Sequence, residues 1–416
     1  MLDVKQRALE IGFDLAGVAP VAAWKDLEFS RRWVERGYGG EMRYLANPKR
    51  HDPRRTLASV RSVVCVGLIY SAPLPYSTEV RSRESEVRSR DDGPRTKDQG
   101  PAGESPRAWI SRYAWGRDYH EIMRSKLEAL RAEIEQSAPG VETRVFVDTG
   151  PIVERAFARL SGIGWMGKNT CLINERKGSW FFLGVILTNL ALEPDLPAPD
   201  RCGSCTACLE ACPTGALVEP YVMDARRCIS YLNIELKGSI PEEFRSAVGN
   251  NVFGCDICQD VCPWNSRQPS VVSGQLPEKE HGREGAATTA LAEFRPMQID
   301  LMRPDALSSQ RATDDGPRTA DRVSNFEFRF SLYNPPLEFL AALSEAEFRE
   351  LFRQSPVKRV KFRGWLRNLC VAMGNSGDAR FVPKLRELAA HSDPLVREHA
   401  AWALARLRGV SRPDRD

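Results

Sequence analysis

Residues 202 to 217 read CGSCTACLEACPTGAL, which sets Cys202, Cys205, Cys208 and Cys212-Pro213 in the order C-x2-C-x2-C-x3-C-P. Ferredoxins use this run to wrap three thiolates around one [4Fe-4S] cluster and to send the fourth to another. Zinc sites pair CxxC units across longer gaps and have no use for the trailing cysteine and proline. A second run, GCDICQDVCPWN at 254 to 265, supplies Cys255, Cys258 and Cys262, but Val252 stands where a further cysteine is expected. Cys228, in ARRCISYLNIELKG, is the nearest candidate to complete the set. The crossed pattern then gives one cluster Cys202, Cys205, Cys208 and Cys262, and the other Cys212, Cys228, Cys255 and Cys258.

The chain has 416 residues and eleven cysteines, eight of which lie between 202 and 262. In a reducing compartment that clustering argues for metal rather than disulfides. A cytoplasmic protein without a membrane partner is expected. No apolar run approaches the roughly 18 residues of a membrane span, and MLDVKQRALEIGFDLAGVAP lacks the basic, apolar, small-residue order of a secretory signal. Hydrophobic residues at 42% and charged ones at 27% exclude wholesale disorder. At roughly 150 residues per domain, two to three domains are expected. Net charge is +4, and two cubanes with their thiolates add about four negative charges. The holoprotein is therefore near neutral, so nucleic-acid binding has to rest on a local patch.

Around the cysteines the chain reads as a mixed α+β or α/β fold. An opening helix, the strand DLAGVAPV, a Trp- and Tyr-bearing helical stretch and the buried strand RSVVCVGLIY fill residues 1 to about 70. A helix after Gly116, the strand ETRVFVD, a helix through Arg155 to Leu160 and the apolar run SWFFLGVILTNL follow. Two polar stretches, 71–106 and 267–325, read as low-complexity insertions. The first holds EVRSR from Glu79 and again from Glu86, and DDGPRT occurs once in each, at 91–96 and 314–319. The domains are then 1–198, a ferredoxin-like unit at 199–266, a linker at 267–325 and a helical unit at 326–416. That last unit resembles short HEAT-like repeats. In its final helix Asp393 can cap, Pro394 suits the first turn, and Val396, Ala400, Ala403, Leu404 and Leu407 share one face. So few repeats cannot bury a core alone, so they are expected to pack on the rest of the protein.

Other motifs carry two readings each. Gly162, Gly164 and Gly167 spell G-x-G-x-x-G, but they follow a helix and precede a strand, the reverse of a dinucleotide loop, which favours a helix C-cap and tight turn. Asp118 and His120 form D-x-H, yet Met123 stands where a cobalamin signature needs glycine, so the pair reads as a helix cap. Cys65, Cys171 and Cys370 sit in apolar segments and read as inert buried thiols. Asp148 ends the strand RVFVD before a glycine turn, where it either caps the next helix or points into a pocket.

Taken together, GRDYH (116–120), VDTGPIVER (147–155), GIGWMGKN (162–169), the two cysteine runs and ARRCISYLNIELKG resemble the epoxyqueuosine reductase family. These are cobalamin and iron-sulfur enzymes of tRNA queuosine synthesis, and the likeness covers nearly the whole chain outside the two insertions. It implies a nitroreductase-like cobalamin domain, a ferredoxin-like domain and HEAT-like repeats, in a monomer served by a low-potential electron donor. Carried over by position, Arg50, Ser111, Asp148, Asn169 and Leu172 border the corrinoid, with Ser111 where some relatives have cysteine. Asp148 becomes the acid that protonates the epoxide oxygen while electrons relayed through two clusters and cobalt reduce the ring to an alkene. Such an acid must be protonated at neutral pH, which desolvation against an apolar corrinoid face could provide.

A tRNA surface has one visible candidate. The stretch from Leu351 to Ser376 holds Arg353, Lys358, Arg359, Lys361, Arg363 and Arg367 with no acid, a pattern that suits phosphate contacts and equally an ordinary solvated helix face. Two other functions fit part of the sequence. A reductive dehalogenase shares a corrinoid and two cubanes but usually carries a twin-arginine export signal, and a ferredoxin-type electron-transfer scaffold leaves the N-terminal domain without a role.

Overall fold

The computed structural model describes residues 2–22, 24–80, 105–265, 288–303 and 326–410. Both copies of DDGPRT and the second EVRSR lie outside these residues. Before the cysteine block run strands β1 (Leu15–Pro20), β2 (Ser62–Ile69), β3 (Trp109–Ile110), β4 (Thr143–Phe146), β5 (Trp165–Met166), β6 (Leu172–Ile173) and β7 (Phe181–Thr188). Four of them form one sheet in the order β1-β2-β7-β4, every neighbour antiparallel. The N-terminal unit is therefore α+β, and the α/β alternative falls. Helices and strands alternate along the chain, but alternation does not set strand direction when the connections are long excursions rather than single crossover helices.

Every residue of β2 is buried, as expected for a strand covered on both faces. Val64, Val66 and Leu68 face one core with Met123, Leu127, Leu130 and Ile134 of helix Tyr119–Gln136. Val63, Cys65 and Ile69 face the other with Ala156, Phe157 and Ala158 of helix Glu154–Leu160. The two-residue period of the strand thus holds a helix on each side. The first helix lies so near the sheet that a Cβ at Gly184 would sit 2.7 Å from Leu127 Cδ1.

After the first cysteine run come the hairpin β8 (Leu217–Glu219) and β9 (Val222–Met223), then β10 (Asn251–Phe253). β10 pairs in parallel with β3, so a main-chain ladder joins the cysteine block to the N-terminal unit. This also accounts for Val252, which is fully buried in that strand.

The 267–325 stretch is more ordered than a linker. Within it Phe294 is buried against Phe182, ring centroids 5.2 Å apart, and Thr289 N–H donates to Ser71 O at 2.7 Å. Strand β11 (Gln298–Arg303) pairs antiparallel with β12 (Phe326–Ser331). One buried phenylalanine in polar surroundings leaves no periodic signal, which is why composition hid it. The 71–106 insertion is shorter for the same reason, since Ala72, Tyr76 and Ser77 are buried.

The C-terminal helices lean on the rest of the chain as their short length requires. Helix Lys361–Ser376 buries Trp365 through Gly374, and its core includes Trp109, Ile110, Val252 and Phe253. Helix Pro394–Val410 packs against it, and helix Val382–Ala389 packs against Pro394–Val410. Asp393 Oδ1 accepts the Leu395 N–H at 2.8 Å, and Val396, Ala400, Ala403 and Leu407 are buried while Leu404 is partly so. Among the described residues no helix is long and apolar enough to cross a membrane.

Candidate active site

A cavity of about 990 Å³ opens between the N-terminal unit and the cysteine block. Its walls carry apolar groups from both, among them Phe29, Trp33, Met42, Phe182, Met223 and Ile234, and polar ones that include Arg50, Asp148, Glu154, Arg155 and Glu235. Cys228 lines the same cavity. A large, mostly apolar cleft at a domain junction with few convergent polar groups is the usual form of a cofactor site.

Asp148 reaches the cavity because the chain turns sharply after β4. Val147 is buried, and Asp148 takes a left-handed backbone, φ 52°, unusual for a residue with a side chain. Arg50 Nη1 donates to Gly150 O at 2.8 Å and pins the turn. Tyr119 Oη donates to Asp148 Oδ2 at 2.9 Å, His120 Nε2 stands 3.5 Å from the same oxygen, and Arg359 Nη1 lies 3.8 Å away. Burial alone would push the Asp148 carboxyl up. The hydrogen bonds from His120 and Tyr119, with the charges of His120 and Arg359, outweigh it and hold the group below the ordinary carboxylate range. The protein's own groups act against the expected protonated carboxyl, since the nearest partners of Asp148 are a phenol and two cations, which favour its ionised form. Asp148 also caps nothing: the N-cap of the next helix is Val153.

His120 is more than a helix residue beside a cap. Asp118 does cap the helix, accepting the His120 N–H at 3.2 Å, and the same oxygen meets His120 Nδ1 at 2.7 Å. Lys358 Nζ pairs with Asp118 Oδ2 at 2.8 Å. Burial would lower the His120 pKa, but Asp118 and Asp148 on its two sides raise it to about 9. Its ring stacks on Tyr119, centroids 4.1 Å apart, and Tyr119 stacks in turn on Phe182. Burial pushes the nearby Glu154 carboxyl up to about 7, and its Oε1 has no hydrogen-bond partner in the pocket wall. Tyr119, His120 and Glu154 were missed in the sequence. The GRDYH and VDTGPIVER motifs contain them, but assigning Asp118 to capping had already accounted for the first.

Of the five expected corrinoid neighbours, Arg50 and Asp148 line the cavity; Ser111, Asn169 and Leu172 do not. Ser111 Oγ donates to Asp256 Oδ1 at 2.5 Å, and Leu172 packs in the core beside helix Glu154–Leu160. Asn169 Nδ2 donates to Cys258 O at 3.0 Å while its Oδ1 accepts the Cys171 N–H. Next to it the Lys168 ammonium donates to Gly203 O and Cys205 O at 2.6 and 2.9 Å. The turn between β5 and β6 thus grips both cysteine runs, one residue to each. Its glycines allow that turn: Gly162 has φ +75° just past the helix C-cap, and a Cβ on Gly164 would sit 2.2 Å from Ile173 O.

The eight cysteines influence one another electrostatically in two sets, and among the described residues no three ligand-type side chains converge closely enough to hold a single metal ion. Cys262 lies within electrostatic reach of Cys202 and Cys208, and Cys208 of Cys205. Cys228 faces Cys212, and Cys258 faces both Cys255 and Cys228. Cys65 and Cys370 are fully buried, and burial raises each thiol to about 12. Cys171 differs from these two, because its thiol contacts that of Cys258.

The basic stretch is largely engaged within the protein. Arg367 is fully buried and donates to Leu232 O, Leu236 O and Gly238 O at 2.7 to 2.8 Å. Arg359 pairs with Glu235 at 2.8 Å, Lys358 with Asp118, and Arg363 with Asp393 at 2.5 Å. A run of cations without acids in sequence finds its acids in space, so Arg367 is not a phosphate contact and the other three are shared with internal carboxylates. Lys361 is exposed and has no ion-pair partner among the described residues.

A family model described as "Epoxyqueuosine reductase QueG, DUF1730" matches residues 50–149, and one described as a 4Fe-4S double cluster binding domain matches residues 201–265. An epoxyqueuosine reductase of Salmonella typhimurium is 35% identical over 405 residues, covering 97% of this chain and 87% of that protein. The chain belongs to the epoxyqueuosine reductase family. Epoxyqueuosine reductases of Xanthomonas campestris and Escherichia coli are 36% and 34% identical, each over 97% of this chain and over 94% and 88% of their own. A solved epoxyqueuosine reductase with an epoxyqueuosine-modified tyrosine tRNA stem loop superposes with a TM-score of 0.72 at 29% identity, over 97% of this chain and 89% of that one. The Bacillus subtilis structure, with a TM-score of 0.71 at 28% identity, covers 97% of this chain and 89% of that one, and is described with an aspartate-bearing catalytic loop swung out of the active site. Family membership over nearly the full length removes the dehalogenase and scaffold readings.

Proposed function

We propose that this epoxyqueuosine reductase family member reduces epoxyqueuosine to queuosine at the wobble position of tRNA. In this reading residues 1–198 form a nitroreductase-like domain, the cysteine block carries two [4Fe-4S] clusters, and the C-terminal helices are HEAT-like. The observation that carries it is the cavity, which has an acid-bearing turn on one wall and Cys228 on another. A corrinoid suits this space by size and apolar lining, and when bound it supplies electrons at the epoxide carbon. The eight cysteine thiols of the block suit two cubanes by number and donor type. They would carry electrons from a low-potential donor toward the cavity wall.

The chain's own groups then have distinct work. Apolar walls keep water from the reacting ring. Arg50 fixes the turn that aims Asp148, and Tyr119 holds the Asp148 carboxyl in one orientation. Asp148 delivers a proton to the epoxide oxygen as the ring opens. The test is incubation of reconstituted protein, loaded with both clusters and cobalamin, with a low-potential reductant and epoxyqueuosine-containing tRNA. Nucleoside mass spectrometry should find epoxyqueuosine lost and queuosine gained in equal amount. Fully loaded protein that leaves epoxyqueuosine unchanged would sink the proposal.

A further inference from the structure

This inference rests on the reductase reading above and concerns its protons. Turning an epoxide into an alkene and water consumes two electrons and two protons. One proton goes to the oxygen when the first C–O bond breaks, and a second lets the hydroxyl leave as water when the other C–O bond breaks. The electrons come through the clusters. A carboxyl carries one proton at a time, and Asp148 is surrounded by groups that favour its ionised form.

We propose that His120 is the proton store of this site, recharging Asp148 through its Nε2–H with each proton Asp148 gives up, with Asp118 as its positioning residue. The geometry is one continuous line. Lys358 Nζ, about half exposed, holds Asp118 Oδ2 at 2.8 Å, Asp118 Oδ1 holds His120 Nδ1 at 2.7 Å, and Nε2 points at Asp148 Oδ2 from 3.5 Å. No closer hydrogen bond occupies Nε2. The imidazolium passes its proton to Asp148 as Asp148 gives its own to the substrate oxygen, so protonation of that oxygen draws a transfer that is uphill between the two side chains alone and leaves a neutral imidazole. A proton from solvent later returns to the ring, whose side chain is 26% exposed although Nε2 itself is buried in this arrangement.

The charged and titratable groups around His120 agree with this assignment. Asp118 on its own helix and Asp148 on the turn after β4 both stabilise the imidazolium, while Tyr119 donates to Asp148. Lys358 and Arg359, from the turn Pro356–Val360, oppose it, but each already faces a carboxylate, Asp118 and Glu235 respectively. The balance leaves His120 cationic at neutral pH, with its midpoint near 9. Because Lys358 comes from the C-terminal unit, docking of that unit fixes the orientation of Asp118 against the His120 ring.

The first test needs no turnover. The chain has five histidines, so His120 can be followed in ¹⁵N-histidine-labelled holoprotein, with His120→Gln assigning its signal. Its midpoint should lie well above the ordinary histidine value of about 6.5, and Asp118→Asn, which keeps the capping oxygen but removes the charge, should lower it. A midpoint at or below the ordinary value would overturn the proposal. The second test is single-turnover reduction of epoxyqueuosine in a tRNA stem loop as a function of pH. Wild-type rate should fall as pH rises through the His120 midpoint, and Asp118→Asn should move that limb to lower pH. His120→Gln should slow the reaction about 100-fold or more and abolish the limb, with iron, corrinoid and stem-loop affinity unchanged. A His120→Gln enzyme with the wild-type rate and limb would refute the assignment, as would an unmoved limb in Asp118→Asn if His120→Gln failed to fold. Failure of the wild-type protein to turn over at any pH would instead count against the reductase reading, while leaving the titration result standing.

Discussion

At the scale of single residues, the chemistry converges on Asp148. Its left-handed backbone and three partners, Tyr119, His120 and Arg359, hold the carboxyl toward the cavity. Asp148→Asn keeps the size and part of the hydrogen bonding but cannot give up the proton. Turnover of epoxyqueuosine in tRNA should fall by about two or more orders of magnitude with both clusters and corrinoid retained. A near wild-type rate would move the acid elsewhere. Cys228 is the other residue on which much depends, since it sits outside both regular runs. With eight thiolates for two cubanes, the protein should hold about eight irons. Cys228→Ala should reduce that content and alter the cluster spectrum, and an unchanged iron count would exclude Cys228 as a ligand.

At the scale of elements, the segment carrying Cys228 is held from the C-terminal helices. It continues into a π-helical turn, Tyr231–Glu235, whose widened hydrogen bonding leaves carbonyls to be satisfied from outside. Arg367 binds Leu232 O, Leu236 O and Gly238 O, and Asn368 Nδ2 binds Asn233 O and Val252 O at 2.7 and 2.9 Å. Burying a guanidinium costs several kcal/mol, and hydrogen bonds to a charged group return about 1.5 to 3 kcal/mol each. The two nearly cancel, so Arg367 contributes geometry more than net stability. Removing it is another matter, because three carbonyls lose their donors. Arg367→Met should destabilise the protein by about 3 kcal/mol or more and cost iron from the cluster held by Cys228. Thermal unfolding together with iron analysis would check both effects, and a variant with unchanged melting and iron would refute the bracing role.

At the scale of the whole molecule, the C-terminal unit supports the site from outside the cavity, whose lining residues all precede it in the chain. It shares one hydrophobic core with β3 and β10, and its Pro356–Val360 turn presents Lys358 and Arg359 to the catalytic groups. Lys361, next in sequence, is the exposed cation of this turn that stays free for a phosphate. Lys361→Gln should weaken tRNA binding modestly and lower the steepness of its salt dependence by about one counterion, which affinity measured at several salt concentrations would detect. Equal affinity and equal slope would assign Lys361 to the solvated surface. The amino-acid sequence alone determined the two-cluster domain, the main helices and strands and the family, and it singled out Asp148. These signals are local, since metal spacing, hydrophobic period and strand-end position are each written within a few residues. Only the tertiary structure decided that the main sheet is antiparallel, that Phe294 anchors a polar stretch, and that Asn169 and Ser111 brace the cysteine runs. It also decided that Arg367 is buried, and that Asp148 stands beside Tyr119, His120 and Arg359, which favour its ionised form. In each of these cases the deciding partner lies far away along the chain. A charge or a polar group takes its character from what folding brings within a few ångströms of it, and neither composition nor spacing records that.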